Sequence, residues 1–311
     1  MNNVGVLWLV LAASYGVNCL VLSVVVALSW SQCFNRTALT ARSLLAMRLL
    51  PSMGALCLTL FVVLPAFLIN EPKRAAEPVG PVVMLMAAFA LVCIGAGCLR
   101  ARRSWLTTAR LLRDCDPTDS GTMIAGRDVH IVDWPGALFA VVGACKPRIV
   151  AASRVLEVCS HEELREVIGH EAAHIAARDN LKLLLLLASP DPLAWIPVGT
   201  GLLTRWRSAV EFEADAIATG PDPRRRVALA SALIKVARLS DARGPLATLS
   251  MPIVAEDVEG RVRRLLAPSP AVLSTLSTGK LAAFALFLPL VVMPFYGSVQ
   301  ECIEALVAFG R

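Results

Sequence analysis

The chain has 311 residues, 56% of them hydrophobic and only 17% charged, with a mean hydropathy of +0.65. A soluble domain carries about 25% charged residues, so the apolar excess is more than the core of an ordinary soluble enzyme absorbs. The formal net charge of +6 is spread between apolar runs rather than gathered on one segment, which argues against a nucleic-acid surface.

Val4 to Ser29 is the first uncharged apolar run. Met1-Asn2-Asn3 before it has no Lys or Arg, and the run is too long for a signal h-region, so a retained transmembrane helix is expected. Leu49 to Asn70 and Pro81 to Leu99 follow, and Leu281 to Tyr296, broken by Pro289 and Pro294, is a fourth. A membrane helix needs roughly 20 mostly apolar residues. The expectation is therefore about four transmembrane helices, at about 4–29, 49–70, 80–99 and 279–297.

The intervening charges set an orientation. Arg36, Arg42 and Arg48 stand without acidic residues between the first two runs. Glu71, Lys73, Arg74 and Glu77 balance between the second and third. Arg100, Arg102, Arg103, Arg110 and Arg113 follow the third, and Arg261, Arg263, Arg264 and Lys280 precede the fourth. Cytoplasmic loops carry the Lys/Arg excess. Residues 100–278 are thus expected inside, with the N-terminus and the short tail 298–311 outside, in a multi-pass protein of the cytoplasmic (inner) membrane. The nine cysteines lack CxxC spacing and read as reduced structural thiols, with no disulfide framework.

Within the inside portion, Trp105 to Asp114 reads as a basic helix leaving the membrane, and Val129 to Val132 as a short strand. Ala137–Val142 and Arg148–Ala152 flank a turn at Gly143–Pro147 and read as a β-hairpin. Ser160-His161-Glu162-Glu163 is a capping box opening a helix through Leu164, Val167, Ile168 and Ile175.

That helix contains VIGHEAAHIAARDN, Val167 to Asn180. Residues i and i+4 share a helix face, so His170 and His174 point one way, with Glu171 beside them. This is the HExxH arrangement, in which two imidazoles bind Zn²⁺ and the glutamate activates a water molecule. The competing reading is a helix with two surface histidines. Against it, a chain with only four histidines places two at the required spacing in an apolar context.

A catalytic zinc takes three protein ligands. The longer HExxHxxGxxH pattern fails, because Ala177 and Asn180 stand where it needs Gly and His. The next acidic cluster is Glu211-Phe212-Glu213-Ala214-Asp215. Glu211 and Asp215 are i and i+4, so Glu211 is the candidate third ligand and Asp215 the carboxylate that orients a liganding histidine. Glu213 lies on the far side of the same helix. A solvated helix face is the alternative for this cluster. His130, Arg205 and Arg207 are candidates for stabilising an oxyanion or contacting substrate.

Gly136 to Leu181, with "PRIV" and "EEL…V..HE..H…RDNL", resembles the BlaR/MecR-type membrane zinc metallopeptidases, and Pro192-Leu193-Ala194-Trp195 resembles a motif that follows in that family. "EFEADAIA" is more similar to HtpX-type membrane peptidases. The resemblance implies a mainly α integral membrane protein with a cytoplasmic α+β, zincin-like peptidase domain and a small sheet. It implies one Zn²⁺ per chain on His170, His174 and Glu211, with Glu171 as general base. It also implies a protein substrate: a cytosolic repressor in regulated signalling, or membrane proteins in quality control. A non-catalytic scaffold with a structural zinc is the reading from another class, and Glu171 argues against it. The tail 298–311 is too short for a penicillin-binding sensor domain, so direct β-lactam sensing is not expected. The lipid bilayer is an expected partner and nucleic acid is not. The oligomeric state stays open, a dimer included.

Leu181 to Leu203 is apolar but interrupted by Lys182, Pro190, Asp191, Pro192 and Pro197. His174 and Glu211 must share one metal, which forbids a single crossing between them. A hairpin that dips into or lies against the membrane, closing over the site, is therefore expected.

Overall fold

The computed structural model describes residues 3–30, 39–70, 80–114, 121–133, 138–239 and 258–267. The fourth apolar run and the tail fall outside the described residues. The described residues fall into two units, those within 1–99 and 188–203 in the first and those within 100–187 and 204–273 in the second.

In the first unit, α1 (Asn3–Ser29) pairs with α2 (Ala41–Leu58), which continues through a π-helical stretch, Thr59–Val63, into α3 (Leu64–Asn70). Pro65 cannot donate to the carbonyl of residue 61 and its ring crowds it, and the helix widens just before it. The long α4 (Pro81–Asp114) follows without a break, so the basic stretch 105–114 is its last turns rather than a separate helix. Three helical spans, Val4–Ser29, Ala41–Leu68 and Pro81–Arg110, are long and apolar enough to cross a membrane. Their outward side chains are apolar too: Trp8, Phe61, Leu85 and Val92 are all exposed. The balance points to a membrane protein.

Arg48 lies inside α2, not in a loop. It is buried and its Nη1 is 2.7 Å from Asp191 Oδ2. It therefore drops out of the loop charge that orients the chain. Asp191 also accepts the Leu193 N–H at 2.9 Å and a bond from Ser189, whose hydroxyl is 2.8 Å from that of Ser52. The Tyr15 hydroxyl donates to the Pro190 carbonyl at 3.2 Å. Desolvating an ion pair costs more than its attraction returns unless further hydrogen bonds complete it, and here they do. The segment 189–196 is thus pinned by polar contacts to the apolar helices of its own unit.

The second unit holds a four-stranded mixed sheet, in the order β1 (Thr122–Ile124), β2 (Arg127–Val132), β4 (Arg148–Ala152), β3 (Phe139–Val142). β3 and β4 form the expected antiparallel hairpin, with Val141 opposite Ile149. Gly143 opens its turn at φ 100°, and a Cβ there would meet the Lys146 carbonyl at 2.9 Å. β2 runs parallel to β4, and the short β1 adds outside it. The helices are α5 (Ser153–Val158), α6 (His161–Ala177), α7 (Asp179–Ala188), α8 (Pro197–Thr219), α9 (Pro223–Leu239) and α10 (Val258–Leu265). A 3₁₀ turn, Pro192–Trp195, separates α7 from α8. Val129, Phe139, Val142 and Ile149 from the sheet, Val155 and Ile168, and Leu229, Leu233 and Val236 of α9 make one core.

Candidate metal centre

α6 is fixed at both ends. The Ser160 hydroxyl accepts the Glu163 N–H at 3.3 Å, and Glu163 Oε2 accepts the Ser160 N–H at 2.6 Å, closing the capping box. At the other end Arg178 adopts the left-handed conformation, φ 56°, and its N–H reaches back to the His174 and Ile175 carbonyls. A non-glycine residue there costs about 1–2 kcal/mol, and the turn it makes delivers Asp179 back beside His174.

His170, Glu171 and His174 are all buried, at 2%, 1% and 4% exposure. The Nε2 atoms of the two histidines are 3.0 Å apart. Glu211 arrives from α8, its Oε2 3.3 Å from His170 Nε2 and its Oε1 3.6 Å from His174 Nε2. Two ligand atoms about 2.0–2.1 Å from a tetrahedral zinc lie about 3.3–3.4 Å from each other, so these separations fit one shared ion. These three residues form one cluster able to hold a metal. Neither Glu211 oxygen has a hydrogen-bond partner among the described residues. Arg261 Nη1 stands 2.7 Å from Oε2 as an ion-pair contact only. The contact is charge attraction that leaves the oxygen's hydrogen-bonding capacity open. The open lone pairs therefore face the two Nε2 atoms.

Each histidine has its outer nitrogen on a carboxylate. His170 Nδ1 is 2.9 Å from Asp215 Oδ1, and His174 Nδ1 is 2.9 Å from Asp179 Oδ2. Such contacts place the proton on Nδ1 and leave Nε2 free to ligate. Lys182 Nζ in turn donates to Asp179 Oδ1 at 2.9 Å. Glu171 accepts the Val141 N–H at 2.8 Å, while Asn180 Nδ2 donates to the Val141 and Gly143 carbonyls at 2.9 and 3.1 Å. The outer edge of β3, which pairs with no further strand among the described residues, is therefore held against the helix that carries the histidines. A cavity of about 370 Å³ opens beside it, lined by Val141, Cys145, His174, Arg178 and Asn180 among others.

The site concentrates opposed charges. Burial and Arg261 press the His170 pKa down, but the neighbouring Asp215 and Glu211 carboxylates outweigh them and push it up to about 9. Burial pushes Glu171 above the ordinary carboxylate range. Burial would raise Glu211 too, yet Arg261 and the histidines bring it down to about 2. Asp215 is likewise held low against its burial, chiefly by Arg261. Arg261 faces Glu211 and Asp215, and Lys182 faces Asp179.

The remaining candidates stand elsewhere. His130 is half-buried on β2, 3.9 Å from Asp128, and β4 separates its strand from β3. Arg205 and Arg207 are exposed on α8, Arg207 one turn before Glu211. The guanidinium that enters the site is that of Arg261, from α10, which the sequence reading did not single out. Asp179 was also missed. Its signal is its position one residue beyond a helix end, visible only once Arg178 is known to turn left-handed.

No curated protein matches the chain at a significant level. Residues 127–196 match the family model of peptidase family M48, a family of zinc metallopeptidases. The matched stretch runs from β2 to the 3₁₀ turn and includes His170, Glu171 and His174, while Glu211, Asp215 and Arg261 lie beyond it. The match supports a metallopeptidase.

Proposed function

We propose that the chain is a membrane-held zinc endopeptidase acting on protein substrates at the cytoplasmic face. The observation that carries this reading is the convergence of two Nε2 atoms and an open carboxylate, 3.0–3.6 Å apart, beside a buried glutamate. His170, His174 and Glu211 would hold the ion, which when bound supplies Lewis-acid chemistry. Glu171 takes a proton from the attacking water on a carboxylate oxygen and delivers it to the leaving amide nitrogen. A pKa raised by burial suits a group that must do both. As Glu171 turns to the water it releases the Val141 N–H. An extended substrate then adds along the free edge of β3, where that donor meets a substrate carbonyl.

Cleavage of a cytosolic repressor in regulated signalling rests on the BlaR/MecR-type resemblance of residues 136–181. Membrane-protein quality control is the second reading. It is favoured by the HtpX-like EFEADAIA stretch. The three apolar spans and the basic run 100–113 support the membrane and its inner face.

Glu171→Gln in native membranes tests the assignment. Zinc content stays at wild-type level, and cleavage falls by about 10²–10⁴-fold, the usual contribution of a general base. Cleavage at the wild-type rate would refute the enzyme reading. Proteins that accumulate in the variant separate the two substrate classes, a soluble repressor favouring signalling and aberrant membrane proteins favouring quality control.

A further inference from the structure

α10 is short, yet it sends one side chain into the centre of the site. Arg261 is 2% exposed. Its Nε and Nη2 donate to the two oxygens of Asp215 at 2.9 and 2.6 Å, a bidentate pair. Its Nη1 is 2.7 Å from Glu211 Oε2. Nη2 also lies 3.4 Å from His170 Nε2. One rigid guanidinium thus touches three site residues carried by two different helices. α10 is docked independently by Arg264, whose guanidinium stacks 4.5 Å over the Phe212 ring of α8, and by Leu265 in the core.

Glu211 and Asp215 are successive-turn carboxylates, both buried and of like charge. Left alone they repel, and each rotates toward whatever cation or water it can find. Fixing their spacing requires a planar, forked donor, which arginine has and lysine lacks. We propose that Arg261 is a positioning residue of the metal centre. It locks Glu211 in the ligating orientation and Asp215 against His170, so that the site is built from three chain segments and is incomplete without α10. This rests on the reading of His170, His174 and Glu211 as zinc ligands.

The test is the Zn²⁺ dissociation constant of the full-length protein in detergent, by competition with a chromophoric chelator. Arg261→Met, Arg261→Lys and Arg263→Met are compared with wild type. Arg263 pairs with Glu259 on the surface of the same helix and serves as control. Arg261→Met weakens zinc by about 10–100-fold, the usual loss when a group orienting a ligand is removed. Arg261→Lys, which keeps the charge but reaches one carboxylate at a time, falls between, and Arg263→Met matches wild type. If Arg261→Met does not fold, Arg261→Lys carries the test by itself, since it preserves charge balance. Wild-type affinity in a folded Arg261 variant overturns the proposal and leaves the metal centre intact. A wild-type protein that takes up no zinc overturns both.

Discussion

The two histidines of the site are not equivalent, because their outer nitrogens rest on carboxylates of different origin. Asp215 was legible: it follows Glu211 by four residues, and the helical period alone puts both on one face. Asp179 was not, since its return to His174 depends on a left-handed turn at an arginine, a conformation that residue type rarely adopts. Asp179→Asn keeps the shape but removes the charge that orients the imidazole. Zinc affinity drops by about 10–100-fold, with Lys182→Met, which removes only the outer partner of Asp179, costing less. Equal affinities for wild type and Asp179→Asn in a chelator competition would show that Asp179 merely caps α7. Arg261 had no signal at all, because a basic residue 46 positions from its partner looks like any other member of a positive run.

Among elements, α6 was the most legible, through its capping box and its 3.6-residue apolar stripe. The hairpin β3–β4 was legible as well, through two apolar runs around a Gly–Pro turn. β1 is only three residues long, and the parallel β2–β4 pairing is non-local, so neither leaves a periodic trace. How α6 is fastened to α9 also escapes a linear reading. Glu163 accepts bonds from Ser231 and from Lys235, the latter at 2.7 Å. Burial works against its charge, but these bonds and the Ser160 N–H win and lower its pKa below the ordinary 4.5. A depressed carboxylate stabilises the fold above its unfolded pKa and loses that contribution as pH falls through the folded value. Lys235 is 39% exposed, so solvent screening limits the pair to about 1 kcal/mol or less. Thermal unfolding of wild type and Lys235→Met should therefore differ by a constant amount above pH 4.5 and converge below it. A difference that persists unchanged into acid would assign the effect to packing of the lysine stem.

At the scale of the molecule, the apolar runs and the HExxH helix are legible from composition and spacing, whereas the helix of the second run begins at Ala41, eight residues before the apolar run itself at Leu49. The reason is Arg48, a charge that reads as loop but is neutralised by Asp191 inside its own unit. A charged residue among apolar helices is costly unless partnered, and a partner 143 positions away cannot be seen in a hydropathy profile. The central claim is that two imidazoles and one carboxylate from distant segments share a single zinc. X-ray absorption at the zinc edge, on the purified full-length protein, tests it most directly. One zinc per chain is expected, with two imidazole nitrogens and oxygen at about 2.0–2.2 Å and no sulfur. Sulfur at about 2.3 Å, or a spectrum unchanged in His174→Ala, would contradict it.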